Sequence, residues 1–210
     1  AEESNHDFSI SLGGQLLTQI NATNFLGVYI DEHLTWKVHI SYLCKQISKS
    51  IGMLFRSHLY LSSKTKISLY YSLIYPYISH CNSAWSSTYV TNLNSIYSFQ
   101  KLAVRAITNS DDYRAHSAPL FSKSEILDIY QFNTFQIAKF MYCYHNNLLP
   151  LFLFNLSLTS SQIHDYSTSK GNNYRVHHCR TNLKEFTILY QDLRIWDSLP
   201  VTYRVTSLSS

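Results

Sequence analysis

Acidic residues are missing from a long stretch of this chain: residues 33–110 contain no aspartate or glutamate, although the whole sequence holds 13. Charged side chains are scarce altogether, at 14%, and Ser, Asn, Thr and His supply the polarity instead. With only five glycines, no Gly-rich loop of the kind that cradles phosphates is present. Cys44, Cys81, Cys143 and Cys179 are dispersed and form no C-x-x-C pair. That points to neither a disulfide framework nor a zinc knuckle, and fits a reducing, intracellular compartment. The apolar runs at residues 67–78 and 148–158 both contain proline. They fall short of the ~20 residues of a bilayer span, so they read as buried core and no membrane partner is expected. Residues 1–7 are acidic and polar, unlike a secretory leader, and the chain opens on Ala1 rather than Met, as an excerpt of something longer would.

What is present suffices for a core. The hydrophobic fraction is 45%, with 17 Tyr and 11 Phe, in 210 residues. A compact chain of this size buries roughly 70% of its unfolded surface. The net charge of +4 is mild, so the distribution of charge says more than its sum.

Residues 8–12 alternate apolar and polar, Gly13-Gly14 is a turn signal, and residues 16–20 and 25–30 are again strand-like. These predict a small antiparallel β piece that stops at Asp31. The period then changes from about 2 to about 3.6. Ile40, Leu43, Ile47, Ile51 and Leu54 share one helical face, and Lys45, Lys49 and Arg56 form a narrow stripe opposite, with Thr35 as the expected cap. A second helix is predicted from Ser62 or Ser63 through Ile67, Tyr70, Tyr71 and Ile74, ended or kinked by Pro76. A third runs from Thr91 or Asn92 to Thr108, burying Leu93, Ile96, Val104 and Ile107, with Lys101 and Arg105 one turn apart. A fourth runs from about Ser124 to His145 on a stripe of Ile126, Ile129, Tyr130, Ile137, Phe140 and Met141. Residues 160–173 read as an exposed loop, and residues 183–190 as a short strand before a turn of helix ending at Pro200. The expected fold class is mainly α with a small antiparallel β segment at the N-terminus. Its parts are a β remnant (residues 1–34), a basic helical segment (35–110), a helical extension (111–158) and a loop-rich tail with a short strand and helix (159–210).

Within the acid-free stretch lie eight cations: Lys37, Lys45, Lys49, Arg56, Lys64, Lys66, Lys101 and Arg105. Solvated helix faces ordinarily mix both signs and gain intrahelical pairs. Charge of one sign fits a phosphate backbone, bound through counterion release. The rival reading is that these cations only keep a helical bundle soluble. Tyr60, Tyr70, Tyr71, Tyr75, Trp85 and Tyr89 interleave with them. At helical spacing such rings belong in the core, and stacking on bases or sugars is the alternative.

The order of particular words along the chain adds a resemblance. Asn24-Phe25-Leu26-Gly27-Val28-Tyr29-Ile30-Asp31 is followed by Leu34-Thr35-Trp36-Lys37-Val38-His39-Ile40. Then come Tyr70-Tyr71-Ser72-Leu73-Ile74-Tyr75-Pro76-Tyr77 and Gln100-Lys101-Leu102-Ala103-Val104-Arg105-Ala106-Ile107. The tail carries Tyr174-Arg175, Arg180-Thr181-Asn182-Leu183 and Ile195-Trp196-Asp197-Ser198-Leu199-Pro200. In this order and spacing, and over nearly its whole length, the chain resembles the C-terminal part of reverse transcriptases from jockey-like non-LTR retrotransposons (LINE elements). The resemblance implies that Phe25, Leu26 and Gly27 belong to a primer-grip hairpin at the end of the palm. It implies that the helices from Lys37 to Ile107 form a thumb along an RNA–DNA or RNA template–primer duplex, and that the remainder is the C-terminal extension. One departure stands in the tail: Asp192-Leu193 follows Tyr190-Gln191 where related tails commonly read Gly-Pro.

Polymerase chemistry needs two divalent cations held by carboxylates. The Tyr/Phe-x-Asp-Asp hairpin that the resemblance would place at such a centre is absent here, so no catalytic residue is assigned. Asp111-Asp112 reads as a solvated loop or cap, and Asp31-Glu32 as a strand-to-helix turn. His80-Cys81, Cys143 with His145, and His177-His178-Cys179 lack the two spaced ligand pairs of a tetrahedral site, so no metal is assigned. The resemblance implies that the parent polymerase would use two magnesium ions bound outside this chain, on a palm lying upstream of residue 1. The expected function is thus template–primer binding by a fragment of an RNA-directed DNA polymerase. The alternative is a non-catalytic helical interaction module, its basic face toward an acidic protein, or a structural relic of the element.

Overall fold

Asp31 is where strand gives way to helix. A computed structural model describes residues 10–57, 59–110, 116–150, 153, 174, 179–180 and 186–200. Upstream of Asp31 it contains two hairpins. β1 (Ser11–Leu12) pairs antiparallel with β2 (Gln15–Leu16) around Gly13-Gly14. β3 (Ala22–Phe25) pairs with β4 (Val28–Asp31), with Phe25 opposite Val28, so Leu26-Gly27 is a two-residue turn. Residues 25–30 therefore form a turn and the start of a strand rather than one continuous strand. The two ladders are separate sheets.

After β4 the backbone bends through two left-handed residues, Leu34 (φ 51°) and Trp36 (φ 63°). The Asp31 carboxylate fixes the bend by accepting from Thr35 N at 2.9 Å, Thr35 Oγ1 at 3.1 Å and Trp36 N at 2.8 Å. Burial alone would raise its pKa. The bonds from Thr35 and Trp36, with another from the His33 amide, outweigh burial and hold the carboxyl below its ordinary value. Thr35 was the expected cap of the next helix, but its hydroxyl donates to Asp31 and lies 3.5 Å from Lys37 N. The carboxylate does most of the work at this helix entrance.

α1 (Lys37–Ser57) buries Ile40, Leu43, Ile47, Ile51 and Leu54, the expected face. Ser62 caps α2 (Ser63–Leu73) by accepting from Thr65 N. Pro76 cannot donate a backbone hydrogen bond, and the helix breaks at Ile74 and restarts as α3 (Tyr75–Ser79). A short α4 (Asn82–Trp85) follows left-handed Cys81. α5 (Val90–Thr108) buries Leu93, Ile96, Val104 and Ile107 as the periodicity predicts. The helix expected from about Ser124 begins instead at Ile129, as α7 (Ile129–His145), and a short α6 (Ala118–Ser124) that the periodicity did not predict precedes it. Glu125 turns left-handed at the end of α6, and Asp128 opens α7 by accepting from the Tyr130 and Gln131 amides while Gln131 reaches back to the Asp128 amide. Such a capping box fixes a helix start regardless of the apolar residues before it. A π-helical turn (Ile188–Asp192) and α8 (Leu193–Ser198) pack on α7.

One buried cluster runs from Ile40 to Phe132, so α6 and the first turns of α7 share a core with the basic segment. Its central side chains, Ile47, Trp85, Ile96 and Ile129, have no exposure. Burying each contributes on the order of 1.5–3 kcal/mol. Gln100 crosses this core with both ends of its amide used: Nε2 donates to the Tyr70 hydroxyl at 2.9 Å, and Oε1 accepts from Ile129 N at 2.8 Å. A second cluster joins Ile137, Met141 and Tyr144 of α7 to Tyr174, Leu193 and Trp196. The expected loop at residues 160–173, most of the apolar run at residues 148–158 and Asp111-Asp112 lie outside the described residues. Leu148, taken as core, is exposed. Residues 183–185 of the expected tail strand also lie outside the described residues, and from Ile188 the backbone is helical instead.

Candidate nucleic-acid interface

On α1, residues Lys45, Lys49 and Arg56 are all exposed. At about 100° per residue they lie within a stripe about 40° wide, on the side opposite the buried face. From Lys45 to Arg56 the stripe extends about 16 Å, roughly five nucleotide steps of one strand. Lys37 and Lys64 are exposed as well, in the first turns of α1 and α2. A cation there opposes the helix dipole by about 0.3–1 kcal/mol, so helix stability does not explain either residue. Among the described residues the one ion pair is His33 with Glu32 at 3.5 Å. These five cations therefore face solvent with no carboxylate beside them.

The other three cations are placed differently. Lys66 was counted with the surface set, yet it has no exposure. Its ammonium donates to the Ala106 carbonyl at 3.2 Å and to Asn109 Oδ1 at 2.5 Å. There it complements the negative end of α5 and cannot reach a phosphate. Burial holds its pKa below the ordinary lysine value. Lys101 is half-buried with its ammonium 4.7 Å from the centre of the Tyr97 ring. That ring stacks on Phe121 and meets Tyr130 edge-on, which puts Lys101 on the α6–α7 flank. Arg105 is half-buried in the last turn of α5. The structure thus concentrates the exposed charge on α1 and the start of α2.

The aromatic residues divide as well. Tyr70 and Trp85 are core. Tyr71, Tyr75 and Phe132 form a chain of ring contacts at 5.3–5.4 Å, and Tyr89 meets Phe186 at 5.0 Å. Tyr60 is 87% exposed beside Leu59 at 75%, in the turn between Arg56 and Lys64. Of the six, Tyr60 is the most exposed ring.

The β3–β4 tip is a second, separate feature. Leu26 (φ 49°) and Gly27 (φ 85°) both take positive φ, the type I′ pattern, and the Gly27 amide donates to Asn24 Oδ1 at 3.0 Å. Phe25 and Leu26 nevertheless point into solvent, 62% and 77% exposed. Two histidines tie this hairpin to the helices. His39 Nδ1 accepts from the Tyr29 amide at 3.4 Å, and His80 Nε2 donates to the Leu26 carbonyl at 2.9 Å. Burial, reinforced by the charge of nearby His80, pushes His39 down to about 4, which keeps its ring neutral and able to accept. Neither histidine was singled out for this role by the sequence, because the contacts they make span 10 and 54 residues.

Among the described residues no three His, Cys, Asp or Glu side chains gather closely enough to share a metal ion. Cys81 Sγ lies 3.7 Å from His80 Nε2, and His145 Nδ1 pairs with the Tyr174 hydroxyl at 3.0 Å. No helix among the described residues is long and apolar enough to cross a membrane. Compared with models of protein families, with curated proteins and with solved structures, the chain matches none.

Proposed function

We propose that this chain binds an RNA–DNA or RNA template–primer duplex, as the end of the palm, the thumb and the C-terminal extension of a non-LTR retrotransposon reverse transcriptase would. The observation that carries this reading is the exposed stripe of Lys45, Lys49 and Arg56, set in 78 consecutive residues without an acid and without a carboxylate partner among the described residues. Cations so arranged neutralise successive phosphates and release their counterions, with little regard to sequence. Lys64, exposed in the first turn of α2, adds a further cation, and exposed Tyr60 adds a ring for an unpaired base.

The hairpins support a contact with the rest of a polymerase palm. Leu12, Leu16 and Phe25 are exposed on two-stranded ladders with no further strand paired to them among the described residues, the Tyr29 amide on the outer edge of β4 being taken by His39. A neighbouring sheet would cover both the apolar side chains and the edges. Catalysis then belongs to carboxylates of that palm, and this chain contributes grip rather than chemistry.

Three phosphates held by the α1 stripe give a slope of log affinity against log salt near −3, or roughly a 40-fold loss between 50 and 200 mM. Fluorescence anisotropy of a labelled RNA–DNA duplex over a salt series tests this. Binding that is absent, or flat with salt, overturns the reading. Retention of duplex binding by the charge-reversed Lys45→Glu/Lys49→Glu chain would instead favour an acidic protein as the partner of this face.

A further inference from the structure

The first loop residue of a two-residue hairpin turn has a carbonyl that the strand ladder does not use. Water ordinarily satisfies it. In the β3–β4 turn that carbonyl, on Leu26, is instead taken by His80, 54 residues further along the chain. A carbonyl oxygen only accepts, so His80 Nε2 must carry the proton.

His80 is itself held from behind. It ends α3, and its own carbonyl accepts from Trp85 Nε1 at 2.9 Å. Trp85 is fully buried, so the backbone that carries the imidazole is anchored in the core. On the hairpin side the ring approaches the bare Cα of Gly27: a methyl group added there would sit 3.4 Å from His80 Nε2. A Cβ at that distance would be in ordinary van der Waals contact, so it is the positive φ that the absence of a side chain at residue 27 serves.

Among the described residues no other hydrogen bond reaches residues 25–27 from outside the hairpin. Phe25 and Leu26 are exposed, and a lone two-stranded ladder is only marginally stable in water. Leu26 is moreover held left-handed, a conformation that a leucine adopts only where its surroundings impose it. A strained apolar residue displayed in solvent and latched by a distant side chain is the arrangement of a contact surface kept in one orientation.

We propose that His80 is the positioning residue of the β3–β4 tip, holding the Leu26 carbonyl so that the Phe25 and Leu26 side chains meet the end of a bound nucleic-acid duplex in a fixed orientation. The ligand assigned to the tip rests on the duplex-binding reading above. The latch rests on the hydrogen bond alone.

The test uses the full 210-residue chain as wild type, His80→Ala and His80→Gln, since a glutamine amide places a donor near the position of Nε2. Amide hydrogen exchange at Gly27 and Val28 reports the tip, circular dichroism reports the helices, and duplex anisotropy reports binding. His80→Ala is expected to speed exchange at the tip at least tenfold and weaken duplex binding three- to tenfold with helicity unchanged, and His80→Gln to restore both. Unchanged tip exchange in His80→Ala, or no recovery in a folded His80→Gln, overturns the positioning role. Tip exchange that responds as expected in a chain whose wild type binds no duplex overturns the duplex reading and the ligand assigned to the tip, while leaving the latch in place.

Discussion

Asn-Gly is the preferred pair for a type I′ turn, yet the β3–β4 hairpin carries Leu26-Gly27 with both residues at positive φ. A leucine held left-handed is strained by about 1–2 kcal/mol, and asparagine relieves most of that strain. Against this gain stands the lost burial of the leucine side chain. Leu26 is 77% exposed, so about a quarter of it is covered. A quarter of a fully buried leucine contributes roughly 0.4–0.7 kcal/mol. Leu26→Asn should therefore stabilise the hairpin by about 0.5–1 kcal/mol, slowing exchange of its ladder amides roughly two- to fivefold. If the leucine is retained to touch a ligand, the same variant should bind duplex more weakly. Hydrogen exchange and anisotropy on one preparation read both effects. Faster exchange would show that Leu26 contributes to the fold itself, and unchanged duplex binding would remove its functional role.

Three further outcomes follow from groups inside the protein. Lys66→Ala should destabilise the chain by about 2–3 kcal/mol in urea unfolding, because the Ala106 carbonyl and Asn109 lose a charged donor, whereas Lys45→Ala should change stability by less than about 0.5 kcal/mol. His39 sits near 4 when folded and at 6.5 otherwise. The unfolded chain takes up its proton first, so stability is full above pH 6.5 and falls toward pH 4 by on the order of 3 kcal/mol. His39→Gln, which keeps an acceptor and does not titrate, should flatten that acid limb in thermal unfolding. Asp192 runs the opposite way. Buried without a hydrogen bond from a described residue, its carboxyl is pushed up from 3.8 to about 7. Its contribution is full below pH 3.8 and is lost as pH rises through 7, by up to roughly 4 kcal/mol. Asp192→Asn should be the more stable protein at pH 8, with the advantage vanishing at pH 4.

Where local period decides structure, the sequence was legible. α1 and α5 have their expected faces because side chains at 3.6-residue spacing must share a side, and the mainly α fold with N-terminal β hairpins follows from the change of period at Asp31. The same spacing held an unread warning about Lys66. It lies four and eight residues before Tyr70 and Ile74, both buried, and so on their side of α2. Its burial was visible in the pattern, but its lysine identity drew it into the surface set. The start of α7, placed at about Ser124 and found at Ile129, was signalled by Asp128 and Gln131, three residues apart as a capping box requires. Apolar residues on both sides masked it. The tip was harder. Leucine is a poor turn residue, so residues 25–30 read as one strand, and of the two bonds that hold the turn, one from Asn24 and one from His80, the second comes from a partner 54 residues away. Of the candidate interface, the α1 stripe follows from the pattern of residues. Which cations have lost their freedom to Tyr97 or to the end of α5 is decided by tertiary packing.

The salt dependence of duplex binding, measured in parallel on wild type and on Lys45→Glu/Lys49→Glu, tests the central claim most directly. The account predicts a wild-type slope near −3 and a variant slope shallower by about 2, since two phosphate contacts are removed. Equal slopes for the two proteins, with both folded, would contradict it.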